Sequence, residues 1–265
     1  MADSHGVWVY AVARHAGEAA LRGLTGVSGE RVYPLTQAGL TAVAGAVPLA
    51  EFGDEALHRN LEDLAWLETV ARRHHEVIES VARGNPVVPM RLATVYHSDE
   101  GVTAMLSGRH DDFATALARV SGRDEWGVKV YLAPRQAAGS TEPDRATPAS
   151  PGAAYLSRRK SELSANEKSR RSAAASAEEI HAVLSGLAAA SLLRPPQAPQ
   201  LSAQSGQMIL NSAYLVDAES AGRLEEAVAS LASQHPAVRV ELTGPWPPYS
   251  FAAIEHTEPA YGAAP

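Results

Sequence analysis

The chain contains no cysteine. That excludes disulfides, thiol nucleophiles and every cysteine-ligated metal site, and it suits a reducing compartment. Aromatics are scarce, at 6% with only three phenylalanines, so the core must be built from Leu, Val and Ala. There is no basic excess: the net charge is −7 and the pI near 5.8, which argues against a general nucleic-acid binder. Long apolar runs are missing too. The longest, from His181 to Leu193, is interrupted by Ser185 and Gly186 and falls short of the roughly 20 residues of a membrane span. The first residues show neither a basic region nor an apolar core of a signal peptide. These absences predict a soluble, cytoplasmic protein that engages neither nucleic acid nor membrane.

Catalytic signatures are also lacking. Gly23, Gly26 and Gly29 recur every third residue, but this spacing is neither a Walker loop nor a dinucleotide fingerprint, and it reads as a relaxed loop. No Gly-x-Ser-x-Gly elbow is present. His74 and His75 stand beside Glu76 and Glu79 without a third ligand at matched spacing. His74 continues an apolar helical stripe and is expected at the edge of the core; His75 is expected to face outward beside the carboxylates. Adjacent acids such as Glu62 and Asp63 point apart on a helix and read as solvated charge. No catalytic residue, cofactor or metal is predicted.

What is present is an alternation of strand and helix patterns. Val7–Val12 reads as a strand, Glu18–Leu24 as a short helix, and Arg31–Thr36 with Leu40–Val47 as a hairpin around Gln37-Ala38-Gly39. Asp54 is a plausible N-cap for one long helix to Arg83, stopped by Gly84-Asn85-Pro86. Val87–Val95 then reads as a strand, followed by helices over Ser98–Leu106 and Asp111–Val120. The order repeats in the second half. Gly127–Leu132 is a strand, Ala154–Leu193 a long helix, Gln200–Gln204 and Gln207–Val216 a strand pair, Glu219–Ser233 a helix and Val238–Leu242 the last strand.

Both halves thus read βαββαβ, the ferredoxin-like arrangement of an α+β fold. The predicted boundaries are 1–122 and 123–243 for two ferredoxin-like domains, with residues 244–265 as an extended tail rich in proline and aromatics. Residues 133–153, rich in Pro, Gly, Ser and Thr, are predicted to bulge as a loop or tether.

Three features suggest binding. Arg91 interrupts an apolar strand, so its charge must pair or face solvent. An ion-pair network with Glu125 and Lys129 is one reading, a binding surface the other. Arg158, Arg159 and Lys160 with Lys168, Arg170 and Arg171 open the long helix, with Glu162 and Glu167 interleaved. This stretch reads as a solvated charged arm, with docking to an acidic partner surface as the alternative. Without stacking aromatics it is a poor nucleic-acid site. Finally, Gly244-Pro245-Trp246-Pro247-Pro248-Tyr249-Ser250-Phe251 leaves the last strand. Its prolines forbid helix, and its aromatics gain by burial. Trp246, Tyr249 and Phe251 are expected against the chain's own first domain; a clamp for a partner is the other reading.

The same segment resembles the closing motif of the gas vesicle protein F/L family. Further segments resemble that family in the same order: Trp66-Leu67 with a following His75, Val88 to Val95, Glu125 to Val130, Tyr155 to Arg159, and Asn211 to Val216. Together they run from about residue 7 to 251, nearly the whole chain. The resemblance implies two α+β domains and a minor accessory role in gas vesicle assembly. It implies binding of the major, very hydrophobic shell protein, so that this does not aggregate during vesicle nucleation, with other accessory gas vesicle proteins as further partners. No cofactor is implied. The residues put forward as partner-binding are Arg91, Arg158, Arg159, Trp246, Tyr249 and Phe251. The loop 133–153 and the stretch 252–265 depart from the usual family picture. A different class of protein, a ferredoxin-like small-molecule regulatory module or a small cofactor-free enzyme, would need a polar cluster inside an apolar pocket, and the sequence shows none.

Overall fold

The centre of the first half is a strand buried along almost its whole length. In the computed structural model, which describes residues 5–133, 151–196, 206–252 and 254, β1 spans His5–Ala13 and only His5 is exposed. Burial at consecutive positions means that both sheet faces are covered. The hairpin β2 (Val32–Gln37) and β3 (Leu40–Pro48) pairs antiparallel, and β3 pairs antiparallel with β1. β4 (Val87–Pro89) and β5 (Val95–Tyr96) line the other side of β1. The sheet order is β2-β3-β1-β4.

The register of β1 on β3 slips between Val9 and Ala11. Tyr10 is therefore an extra residue, and a bulge of this kind turns two consecutive side chains toward one face. Trp8, Tyr10, Ala11 and Ala13 all join the cluster that includes Phe52, Val77, Ile78 and Val81.

Helices α1 (Glu18–Leu21), α2 (Leu49–Phe52), α3 (Asp54–Asn60) and α4 (Leu64–Ala82) belong to this unit. The single helix expected from Asp54 to Arg83 is thus two pieces, α3 and α4, and Asp54 is not the cap of the long one. Asp63 is: its carboxylate accepts from the amides of Ala65 and Trp66 at 2.9 and 3.2 Å, which satisfies donors that a helix start leaves open. Val70, His74, Val77, Ile78 and Val81 form the buried stripe of α4.

The strand expected over Val87–Val95 is also interrupted. Thr94 Oγ1 donates to the Arg91 carbonyl at 2.7 Å, and Ala93 takes a positive φ of 67°. This turn carries Arg91 out of the sheet, while Met90 N still donates to Tyr10 O and Val9 N to Thr94 O. Helices α5 (Asp99–Gly108) and α6 (His110–Val120) follow, with Val102, Leu106, Phe113 and Leu117 fully buried.

The second sheet has the order β7-β8-β6-β9, from β6 (Arg123–Leu132), β7 (Ala190–Leu193), β8 (Met208–Asp217) and β9 (Val238–Trp246). Counted from each sheet's first strand, this is the order of the first sheet again. α7 (Pro151–Leu187) and α8 (Ala221–Gln234) pack on it. The core joins Val128, Val130, Tyr214 and Val216 to Ile180, Leu184, Leu224 and Val228.

Two expectations shift here. Residues 190–193 are a strand, not the end of the long helix, because α7 stops before Ala188–Ala189 and Ala189 N already donates to Leu215 O. The strand placed at Gln200–Gln204 lies outside the described residues, as do residues 134–150 of the predicted loop; the remainder of that loop, 151–153, opens α7.

The chain forms two compact units. One is Met1–Glu125 with Pro245–Pro265, the other Trp126–Gly244.

Candidate functional site

Pro247 and Pro248 end the reach of β9 and are themselves buried. The chain then tightens into one turn: Phe251 N and Ala252 N both donate to Pro248 O, at 3.2 and 2.9 Å. Two side chains of the first unit clamp that turn. Glu125, only 6% exposed, accepts from Ser250 N at 2.7 Å and from the Ser250 hydroxyl. A buried carboxylate needs such donors to offset its desolvation. Arg119 Nη1 donates to Phe251 O at 3.0 Å.

Phe251 is 7% exposed and serves as the anchor, whereas Trp246 and Tyr249 remain 43% and 37% exposed. The expected burial of the tail aromatics against the first unit therefore holds for Phe251 and fails for Trp246 and Tyr249, which stay exposed beside the buried Pro247 and Pro248. Trp246 and Tyr249 flank His75, with ring centroids 5.7 and 5.9 Å away. The Tyr249 hydroxyl and His75 Nδ1 share a hydrogen bond of 2.8 Å. Burial pushes the Tyr249 phenol above its ordinary range, with Glu79 and Glu125 adding to the shift, so the ring is neutral at physiological pH. His75 is thus half-buried and in contact with the tail.

Beside this ledge lies a small pocket of about 110 Å³, formed by Val88, Pro89, Met90, Phe113, Tyr249 and Ile254 with Arg91. Arg91 is exposed, and the backbone turn at Ala93 is what places it there. Glu125, expected in an ion-pair network with Arg91 and Lys129, holds the tail. Arg91 and Tyr249 thus come together at one pocket. Arg158 and Arg159 belong to α7 in the second unit and are exposed.

His74 lies deeper than the core edge where it was expected. Trp8 Nε1 donates to its Nδ1 at 2.9 Å, and its Nε2 faces Met90 O at 3.1 Å. Burial pushes its pKa down to about 4. The ring is neutral with its proton on Nε2, and both nitrogens are engaged. Among the described residues no group of three or more His, Asp or Glu could hold a metal, and no helix is long and apolar enough to cross a membrane.

Glu125, Arg119, Phe113 and His75 escaped the residue-level reading of the tail surface. Glu125 carried one usable signal, an acid directly before Trp126 at the start of an apolar strand.

The family described as gas vesicle synthesis protein GvpL/GvpF matches residues 6–253. Gas vesicle protein L of a Streptomyces species is 41% identical over 248 residues, covering 93% of this chain and 92% of the relative. Gas vesicle protein F2 of Halobacterium salinarum is 24% identical over 258 residues, covering 96% and 94%. The crystal structure of GvpF from Anabaena sp. superposes with a TM-score of 0.64 at 21% identity, covering 96% of this chain and 98% of that one. GvpF from Microcystis aeruginosa gives 0.61 at 18%, covering 94% and 99%. These two structures establish the shared mixed α+β fold. The match along nearly the full length makes this chain a member of the GvpL/GvpF family of gas vesicle synthesis proteins.

Proposed function

We propose that this chain is a non-enzymatic accessory factor of gas vesicle assembly, acting in the cytoplasm and at the growing vesicle. It binds the small hydrophobic shell protein and keeps it from aggregating before the shell is nucleated. Its two units are read as ferredoxin-like domains, a reading supported by the strand order common to both sheets. Residues Pro245 to Ala252 complete the first of them.

Beyond family membership, one observation supports this reading most directly. Trp246 and Tyr249 stay exposed on a backbone that Glu125 and Arg119 hold in place. Aromatics fixed before binding lose little entropy on docking, and rings of this kind concentrate binding energy at protein interfaces. The pocket beside them, with Arg91 at its edge, accepts an aliphatic side chain of the shell protein. An unassembled shell subunit exposes the apolar surface that such a ledge covers. Arg91, Trp246, Tyr249 and Phe251 form this contact, Phe251 as its anchor. Arg158 and Arg159 contribute a second, basic contact for other accessory gas vesicle proteins.

The test is co-purification of the tagged chain with co-expressed shell protein. Enrichment well above a tagged control of similar charge is expected. Recovery equal to that control contradicts the proposal.

A further inference from the structure

Helix α7 has two halves of different character. From Ala173 on, it packs: Ala173, Ala177, Ile180 and Leu184 are buried, and His181 Nδ1 shares a 2.8 Å hydrogen bond with Tyr214. The preceding 22 residues, Pro151 to Ser172, span about 30 Å at 1.5 Å per residue. Over Tyr155–Ser172 no side chain is buried. Tyr155, Leu156 and Leu163 are 63%, 68% and 61% exposed.

The two halves share one seam. The positions buried in the packed half recur at spacings of three and four, which is the heptad rhythm of helix-on-helix packing. Carried toward the N-terminus, the same rhythm runs through Leu156, Arg159, Leu163, Asn166 and Arg170. The second sheet covers the seam after Ser172 and leaves it open before. The open part is apolar at Leu156 and Leu163, seven residues apart, and cationic at Arg159 and Arg170. Around it, six cations stand against two carboxylates, Glu162 and Glu167, in a chain whose net charge is −7. Those carboxylates are engaged within the helix, by Arg158 to Glu162 at 3.6 Å and by Arg171 to Glu167.

We propose that the N-terminal half of α7 is a docking arm for an acidic amphipathic helix of a partner protein. The heptad spacing calls for a helix, since knobs at such spacing fill holes on a facing helix. The charge calls for an acidic one. A second copy of the arm meets it with like charge and is repelled. A lipid surface needs a broad apolar face, and this seam alternates leucine with arginine. Asn166 and the two arginines set the register of the pair, as isolated polar seam residues do. The inference deepens the reading of Arg158 and Arg159 as a second contact and does not depend on shell-protein contact.

The test uses the full chain and a labelled synthetic peptide of about three heptads, with leucine at the seam and glutamate beside it. A counterpart carries lysine in place of glutamate. The acidic peptide is expected to bind, more weakly as salt rises, and the basic one not. The double variants Leu156→Ser/Leu163→Ser and Arg159→Glu/Arg170→Glu are each expected to weaken binding about tenfold or more, with parental helix content and Tm. Equal binding of both peptides, or unchanged binding by both variants, overturns the proposal. So do two other results. One is variant-sensitive binding to phosphatidylserine–phosphatidylcholine vesicles without peptide binding, which makes the arm a lipid contact. The other is a dimer in sedimentation velocity that the variants dissolve, which makes a second copy its occupant.

Discussion

At the scale of single residues, His74 is the group whose chemistry is most exposed to test. The unfolded chain binds its proton near pH 6.5, and the folded chain near pH 4. The folded state therefore holds fewer protons between these values. Its stability is full above about pH 6.5, falls as the pH drops toward 4, and does not fall further from this group below that. At about 1.4 kcal/mol per tenfold the loss comes to about 3 kcal/mol. Denaturant melts at pH 7 and pH 4.5 should show most of it, and an NMR titration of His74 should give a midpoint near 4. A midpoint near 6.5 contradicts the burial described for this ring.

Gly26 is a second case, decided by space. A Cβ there would lie 1.7 Å from Glu30 Oε1 and 2.3 Å from the Tyr10 hydroxyl. That carboxylate accepts from Tyr10 and from Ser28 N and Oγ. Gly26→Ala must expel it and should cost about 1–3 kcal/mol, the range for orphaning buried polar partners. The adjacent Gly23 and Gly29 sit at φ 83° and 88° with open space around them, so the glycine triplet serves two different needs. A denaturation midpoint for Gly26→Ala equal to the parent's would contradict this packing.

At the scale of elements, the apolar periodicity located almost every strand and helix, and the failures have identifiable causes. The long helix expected from Asp54 was split because Leu61-Glu62-Asp63 breaks the run and Asp63 offers a stronger cap than Asp54. Val87–Val95 is apolar apart from Arg91 and Thr94, and nothing in that run announces that Ala93 adopts a left-handed backbone. Residues 188–193 read as helix because alanine and leucine favour it, and pairing with β8 overrode that preference. The tail aromatics were legible as a docked segment. The groups that hold them were not, since Glu125 and Arg119 are far from Ser250 and Phe251 in sequence and only the fold brings them together.

The clamp itself makes a prediction. Glu125→Gln keeps the shape but weakens the hold on Ser250, and should cost about 1–3 kcal/mol. Phe251→Ala removes a buried aromatic and should cost about 3–5 kcal/mol. Unchanged melting temperatures for both variants would mean that the tail contributes nothing to the first unit.

At the scale of the whole molecule, the chain repeats one strand order in two units and carries exposed apolar residues at several places, among them the tail ledge and the α7 arm. The side chains exposed at these two places lie outside the two core clusters, as a binding surface requires. The measurement that tests the proposed role most directly is light scattering of shell protein diluted from denaturant, with and without this chain. Near-equimolar parent chain is expected to suppress the scattering, and the triple variant Arg91→Ala/Trp246→Ala/Tyr249→Ala to lose most of that effect while keeping its melting temperature. Scattering that rises equally with and without the parent chain would contradict the account.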